Sequence, residues 1–478
     1  MQALADLPVL SPMRRLLGTF RFRLRAFGVE PALRLLACGV AILAGRLFPL
    51  GDAAGRERRE ARRLAATLGS LKGPFAKVGQ FAAARVDVLP EAVRDELATL
   101  RDRVPPLPFA WVRAVLEHEL GTPLEQRFAR FDPEPLGAAS IGQVHRASLP
   151  GGPDVAVKVQ YPWLADSLAA DLALLRLGLR VARPARGAAR ARRDRLFQEF
   201  AAGLREELDF RREARVAGEI AANLAGDERV VVPRVFPSHS TGRVLTVAYA
   251  PTLPLERAAL LRRGVDPAEV LEILTRAYAK QVFVDGLFHA DPHPGNLFVL
   301  DEPDAARRPR VLFVDFGLSR HLAPGLRQEM RRGIFALLQG DLDAFLAGMQ
   351  RLDTILPGAE GGVRTAVAGM FGRLRAEAGG PLGLGGDRVL ALKDEGKRLL
   401  EETPGLQLPN DLLLYAKTLS YLFGLGRELA PDVDLMKLSV PYLLRFLAQP
   451  EPGPDVAAPP APVRSGSAAA AGAGPGAG

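Results

Sequence analysis

The stretch GLFHADPHPGNLFVL, residues 286 to 300, places Asp291 two positions after His289, and Asn296 five positions after Asp291. A carboxylate can orient an acceptor hydroxyl or water and take up its proton. An amide oxygen can ligate Mg2+. Nineteen residues beyond Asn296, the run LFVDFG sets Asp315 at the end of an apolar segment, with Gly317 permitting a turn. A second carboxylate there could hold the same metal. Asp, Asn and Asp in this order suit phosphoryl transfer, which needs a cover for the phosphates, a Lys on them, oxygen ligands for metal and a group that positions the acceptor.

The other parts lie upstream, in order. LGAASIGQVHRA, 136–147, offers the backbone N–H groups of Gly137, Ala138, Ala139, Ser140, Ile141, Gly142, Gln143 and Val144 to phosphate. Its two glycines free the turn and its Ala-Ser centre restricts it. In VAVKVQ, Lys158 is a single Lys in an apolar strand, and a buried ammonium needs a partner. EELDFRREA supplies three candidates, Glu207, Asp209 and Glu213, to pair with Lys158 or help with metal. Protein kinases carry comparable elements as V-A-I-K, H-R-D-x-x-x-x-N and D-F-G. Here the Arg of H-R-D is Ala290, and after DFGLSRHLAPG the chain reads directly as helix with no A-P-E triplet. Both departures argue against a peptide kinase switched by phosphorylation. The loop also has the H-x-D-x-H-x-x-N form of aminoglycoside and choline kinase-like phosphotransferases. Two alternatives therefore stand beside an atypical kinase or ATPase: a small-molecule phosphotransferase, and a nucleotide-binding regulator without turnover. The intact Lys158, Asp291, Asn296 and Asp315 weigh against the regulator.

These residues need a scaffold. With 478 residues and 48% apolar side chains, the chain can bury a sizeable core. Its one Cys, Cys38, rules out an internal disulfide framework and fits a reducing compartment. The net charge of +9 owes much to the Arg runs at 55–63 and 180–195, which suit either an anionic membrane surface or a solvated helix face. No Cys/His zinc spacing or aromatic-rich basic patch supports nucleic acid. The most apolar early run, LLACGVAILAG, has 11 residues, too few to span a bilayer. Periodicity divides the chain into an amphipathic lead-in (1–54), a helical extension (55–130), a β-rich small lobe with a helical insertion (131–252), a helical large lobe carrying the loop and DFG (253–448), and an Ala/Gly/Pro tail expected to be disordered (449–478). Within the small lobe, RVVVPRVF and RVLTVAYA are expected strands. NLFVL and RVLFVDFG are expected to form a hairpin.

In GPFAKVGQFAAARVDVLP, Lys77 and Gln80 stand at i, i+3 on one helix face, with Arg85 and Asp87 beyond. Lys77-Val-Gly-Gln80 resembles the K-x-G-Q motif of the UbiB/AarF family of atypical kinases. AASIGQVHRA resembles that family's Ala-rich loop and ELDF its E-x-D element, and HADPHPGN and DFG complete the set. LPNDLLLYAKTLSYLFGLGRELAP (408–431) looks like its C-terminal helical region. The resemblance covers roughly residues 55–445. It implies an α+β, protein kinase-like, two-lobed fold with a helical N-terminal extension that covers the active site. It also implies Lys77 and Gln80 pointing into the nucleotide site, Lys158 as the nucleotide Lys, Glu207 and Asp209 as the E-x-D acids, ATP and Mg2+ as cofactors, and a role in ubiquinone or related isoprenoid-quinone lipid metabolism. Membrane lipid or a quinone precursor is the implied partner, and the expected location is cytoplasmic, peripheral on the inner face of the membrane. Three features depart from the family pattern: Gly137 in place of an Ala, Ala248 in place of a usual Glu, and a tail where some bacterial members end in two transmembrane helices.

Overall fold

The computed structural model describes residues 29–47, 53–84, 96, 106–182, 187–304, 306–378, 395–396, 398–400, 402–403 and 405–449. The 449–478 tail apart from its first residue, Arg85 and Asp87, and most of the lead-in lie outside that range. Three helices come first, α1 (Val29–Leu47), α2 (Ala53–Leu71) and α3 (Gly73–Ala84). Then α4 (Phe109–Leu120) and the single turn α5 (Leu124–Arg127) lead into β1 (Arg130–Ala138), β2 (Gly142–Ser148) and β3 (Asp154–Gln160). The helical insertion is α6 (Leu164–Ala182) and α7 (Gly187–Glu207), followed by α8 (Phe210–Leu224). Next are β4 (Val230–Val231), β5 (Val244–Ala248), β6 (Thr252–Pro254), α9 (Arg257–Arg262) and α10 (Pro267–Ala279). Four short strands carry the catalytic candidates: β7 (Leu287–Phe288), β8 (Leu297–Leu300), β9 (Val311–Phe313) and β10 (Arg320–His321). The described chain closes with α11 (Pro324–Gln339), α12 (Leu342–Arg351), α13 (Glu360–Ala378), α14 (Asn410–Leu429) and α15 (Leu435–Leu447).

The small lobe is an antiparallel sheet in the order β1-β2-β3-β5. Alternation along β3 decides what it presents. Val155, Val157 and Val159 are buried against Val112, Val115 and Leu116 of α4, each contributing on the order of 2 kcal/mol. The opposite face of the strand therefore carries Ala156 and Lys158. Lys158 lies opposite Val144 on β2 and Leu245 on β5.

The second sheet, order β4-β9-β8-β6, contains the expected hairpin, with Leu297 opposite Phe313. RVVVPRVF yields the two-residue β4, which joins this second sheet by parallel pairing with β9, and beyond Pro233 an isolated bridge from Val235 to Val247 of β5. Pro233 has no N–H to donate and ends the run. The lobe's core gathers Ile273, Leu274 and Tyr278 of α10, Val311 and Phe313 of β9, and Leu422 and Leu425 of α14.

The extension packs on the insertion through Leu68, Leu71 and Phe75 against Leu172, Phe200 and Leu204. At the α2–α3 junction, Gly73 has φ +53° and its N–H donates to the Ser140 carbonyl at 2.7 Å, tying the extension to the β1–β2 loop. On α1, Val29, Leu33, Leu36 and Val40 are exposed. No described helix is long and apolar enough to cross a membrane.

Gly142 opens β2 with its backbone against β3, where a Cβ would press on the Val159 carbonyl oxygen. Gly142→Ala is expected to destabilise the protein by about 1–3 kcal/mol, read as a lowered midpoint in thermal unfolding.

Candidate active site

Both lobes line one cavity of about 730 Å3. Lys158 enters it from the β3 face opposite the valines. Its Nζ donates to Glu213 at 2.9 and 3.0 Å and to Asp315 Oδ1 at 2.9 Å. The Phe210 ring lies under the ammonium, 5.1 Å from centroid to Nζ. Glu213 reaches this point because Asp209 caps α8, its side chain accepting from the Arg211 N–H at 3.0 Å. Phe210, Glu213, Ala217 and Ile220 then share the buried face of the helix. Asp315 reaches it from the end of β9 with φ +62°, a left-handed conformation that Asp adopts more readily than most residues.

Burial alone would lower the Lys158 ammonium's pKa, but the Asp315 and Glu213 carboxylates outweigh it and hold the group above the usual lysine value. Burial pushes Glu213 up to about 7, against the pull of Lys158. Burial also works against charge on Asp315, yet Lys158 and then Lys77 keep it below the usual carboxylate value.

The extension adds a second pair. Lys77 of α3 lines the cavity and donates to Glu207 at the end of α7. Gln80 lies on the same helix, and its side chain lies outside the described residues.

In the loop after β7, Asp291 has a donor on each carboxylate oxygen. Lys417 Nζ of α14 reaches Oδ1 at 2.8 Å, and Asn296 Nδ2 reaches Oδ2 at 3.0 Å. The Asn296 amide oxygen is thereby the atom available to a metal. His289 is fully buried. Its Nε2 faces the carbonyls of Val314 at 3.0 Å and Asp315 at 2.9 Å, so Nε2–H donates and Nδ1 accepts from the Tyr278 hydroxyl at 3.1 Å. Burial lowers its pKa and favours that neutral form. Beyond DFG, Arg212 of α8 donates to the Gly317 carbonyl at 3.3 Å and the Ser319 carbonyl at 3.1 Å.

The structure therefore gathers Lys77, Lys158, Glu207, Glu213, Asp291, Asn296 and Asp315 at one cavity, with Gly137, Ala138, Ala139, Ser140, Gly142 and Val144 along its roof. Three expected residues, Ile141, Gln143 and Asp209, are not among those lining it. Ile141 turns into the core beside Tyr161, Trp163 and Phe210. Gln143 is buried and pairs with the backbone of Leu107, donating to its O at 3.3 Å and accepting from its N at 2.8 Å. Alternation along β2 sends the Gln143 side chain away from the cavity side, and Ile141 turns inward in the loop just before the strand. Asp209 is a helix cap and does not line the cavity. Sequence reasoning missed Lys417 and the His289 support of the DFG backbone. Lys417 carries a signal that could have found it, a lone cation in the apolar helical run DLLLYAKTLSYLFG.

Known proteins resemble this chain over much of its length. The ABC1 atypical kinase-like domain family matches residues 99–348. The chain is 32% identical over 413 residues to the Arabidopsis thaliana protein named Activity of BC1 complex kinase 8, chloroplastic, covering 80% of this chain and 54% of that protein. It is 33% identical over 404 residues to the probable protein kinase UbiB of Azotobacter vinelandii, covering 82% of this chain and 72% of that one. The chain thus spans little more than half the length of the plant relative. Among solved structures, the Rv3197–erythromycin complex from Mycobacterium tuberculosis matches with a TM-score of 0.50 at 24% identity, over 83% of this chain and 98% of that one, which bears on the fold.

Lys158→Met would leave Glu213 buried without its cation. A carboxyl whose folded pKa lies above its unfolded value of about 4.3 stabilises the fold fully below that value and loses the contribution as pH rises through the folded value. Without Lys158 the folded value rises further above 7. The stability lost by the variant is therefore expected to be greater at pH 8.5 than at pH 6, by up to about 2 kcal/mol. Paired thermal or urea unfolding of wild type and variant at the two pH values measures it.

Proposed function

The chain belongs to the UbiB/AarF family of ABC1 atypical kinase-like proteins, and from that premise we propose that it binds Mg-ATP and transfers the terminal phosphoryl group, to water or to a lipid-associated acceptor, in support of ubiquinone or related isoprenoid-quinone metabolism at a membrane surface. The observation that carries the chemistry is Lys158, held within 3.0 Å of Glu213 and Asp315 and opening on the same cavity as Asp291 and Asn296. The ammonium's three donors are spent on these three oxygens, so an arriving phosphate would take the place of one carboxylate contact.

The residues present fit the implied cofactors. Asp315 Oδ1 is taken by Lys158, and the carboxylate's second oxygen, with the Asn296 amide oxygen, would hold Mg2+. Mg2+ favours a few such oxygens together with phosphates and water, and bound there it would neutralise charge on the phosphates. The backbone from Gly137 to Gly142 covers the phosphate side. Asp291 orients the attacking oxygen and accepts its proton. Membrane proximity is supported by the exposed Val29, Leu33, Leu36 and Val40 of α1 beside the exposed Arg58, Arg59, Arg62 and Arg63 of α2. A freely open acceptor pocket, as in small-molecule phosphotransferases, is disfavoured because Lys77 and Glu207 pair at the cavity wall.

Purified wild type is expected to hydrolyse ATP in a Mg2+-dependent manner. Asp315→Asn should abolish the Mg2+-dependent gain in nucleotide affinity, and Asp291→Asn should lower turnover by about 10²–10⁴-fold while nucleotide still binds. Wild-type turnover in the Asp291→Asn protein would overturn the catalytic assignment. Quinone profiling by mass spectrometry, in a strain lacking the gene and rescued with wild type or Asp291→Asn, tests the metabolic role. Unchanged quinones and precursors would remove it and leave the ATPase reading standing.

A further inference from the structure

One face of α14 forms a wall of the site. Asn410, Leu413, Leu414 and Lys417 all line the cavity, at the i, i+3, i+4, i+7 spacing that aligns side chains on one side of a helix. One turn further along, the Tyr421 ring meets the His293 ring with centroids 6.2 Å apart, nearly edge-on at 73°. Tyr415 packs edge-on against Phe288 at 6.4 Å. The helix is thus fastened to the catalytic loop on both sides of Asp291, before it at Phe288 and after it at His293.

Between those two anchors, Lys417 meets Asp291. Its ammonium donates to Oδ1 at 2.8 Å while Asn296 donates to Oδ2 at 3.0 Å. A carboxylate with a fixed donor on each oxygen cannot rotate without breaking one of the bonds. The pair is largely sheltered, with 15% of the Lys417 side chain and 19% of the Asp291 side chain exposed, so the attraction is screened far less than at an open surface. From His289 to Asn296 the loop has no Lys or Arg of its own. Both ring nitrogens of the buried His289 are engaged elsewhere, Nε2 by the Val314 and Asp315 carbonyls and Nδ1 by the Tyr278 hydroxyl. A permanent cation beside Asp291 must therefore come from another element.

The geometry points to Lys417 as a further positioning residue for phosphoryl transfer: supplied by a large-lobe helix, it holds the Asp291 carboxylate in the orientation from which that group meets the acceptor. This inference rests on the reading of Asp291 as the orienting group. Lys417 acts through Asp291, while the nucleotide is held by the separate Lys158 cluster. Its loss should therefore appear in turnover and leave nucleotide affinity nearly intact.

The test compares wild type, Lys417→Met, Lys417→Arg, Asp291→Asn and the Lys417→Met/Asp291→Asn double variant. For each, steady-state ATP turnover, Mg-ATP affinity by displacement of a fluorescent nucleotide, and thermal unfolding are recorded. Lys417→Met is expected to lower kcat about 100-fold with Mg-ATP affinity within about threefold of wild type, the signature of a displaced catalytic group. Lys417→Arg, which keeps a cation on the same oxygen, should recover about tenfold or more of that loss. The double variant should be no slower than Asp291→Asn alone. Wild-type kcat in Lys417→Met overturns the inference. So does a raised KM and weakened affinity at unchanged kcat, which would make Lys417 a nucleotide contact. So does a double variant slowed by the product of the two single effects. If Lys417→Met fails to fold, the inference stands or falls on Lys417→Arg and on the double variant, in which both charges leave together. An inactive Asp291→Asn with an active Lys417→Met sinks this inference alone. An active Asp291→Asn sinks the reading beneath it and this inference with it.

Discussion

A lysine ammonium in the middle of an apolar strand is stable only while carboxylates enclose it, and Lys158 meets that condition with acids from two distant segments. Glu213 comes from α8, which Asp209 starts and Phe210 anchors in the core. Asp315 comes from the end of β9 in the other lobe. The ion cluster therefore joins the two lobes at the point where phosphate chemistry would occur. The surrounding framework serves it: the valines of β3 under α4 force Lys158 to the cavity side, and His289 grips the backbone of Val314 and Asp315.

The same economy of pairing extends over the cavity. Lys77 holds Glu207, Lys158 holds Glu213 and Asp315, and Lys417 holds Asp291. A polyphosphate arriving with its metal would exchange partners within this set. The arrangement ties each charged group to a different layer of the protein: the helical extension, the small sheet and the large-lobe helices.

The departures from ordinary protein kinases acquire a physical meaning here. Ala290 replaces the Arg that would meet a phosphorylated segment, and it is fully buried among Phe288, Leu322 and Leu326. The backbone after DFG is held instead by Arg212, which reaches the Gly317 and Ser319 carbonyls directly. Arg320 adds an ion pair to Glu206 at 2.6 Å. These contacts need no added phosphate, in keeping with a site whose loop and post-DFG segment are assembled by the fold.

Features that depend on neighbours in the chain were legible in the sequence. Period-two alternation marked β3 and its single Lys, the hairpin followed from two β-branched runs about a polar link, and the ordered motifs from KVGQ to DFG placed the chain in its family. Choices among like residues were not legible. Glu207, Asp209 and Glu213 are equivalent as letters, and only the packing of α7 and α8 makes the first a partner of Lys77, the second a cap and the third the partner of Lys158. Ile141 and Gln143 share the loop's sequence with the roof residues, but the turn of the strand buries them elsewhere. Lys417 stands 126 residues from Asp291. Local pattern carries no information about which helix face will meet a given loop. That depends on how apolar faces close around a common core, which is decided only when the whole chain packs.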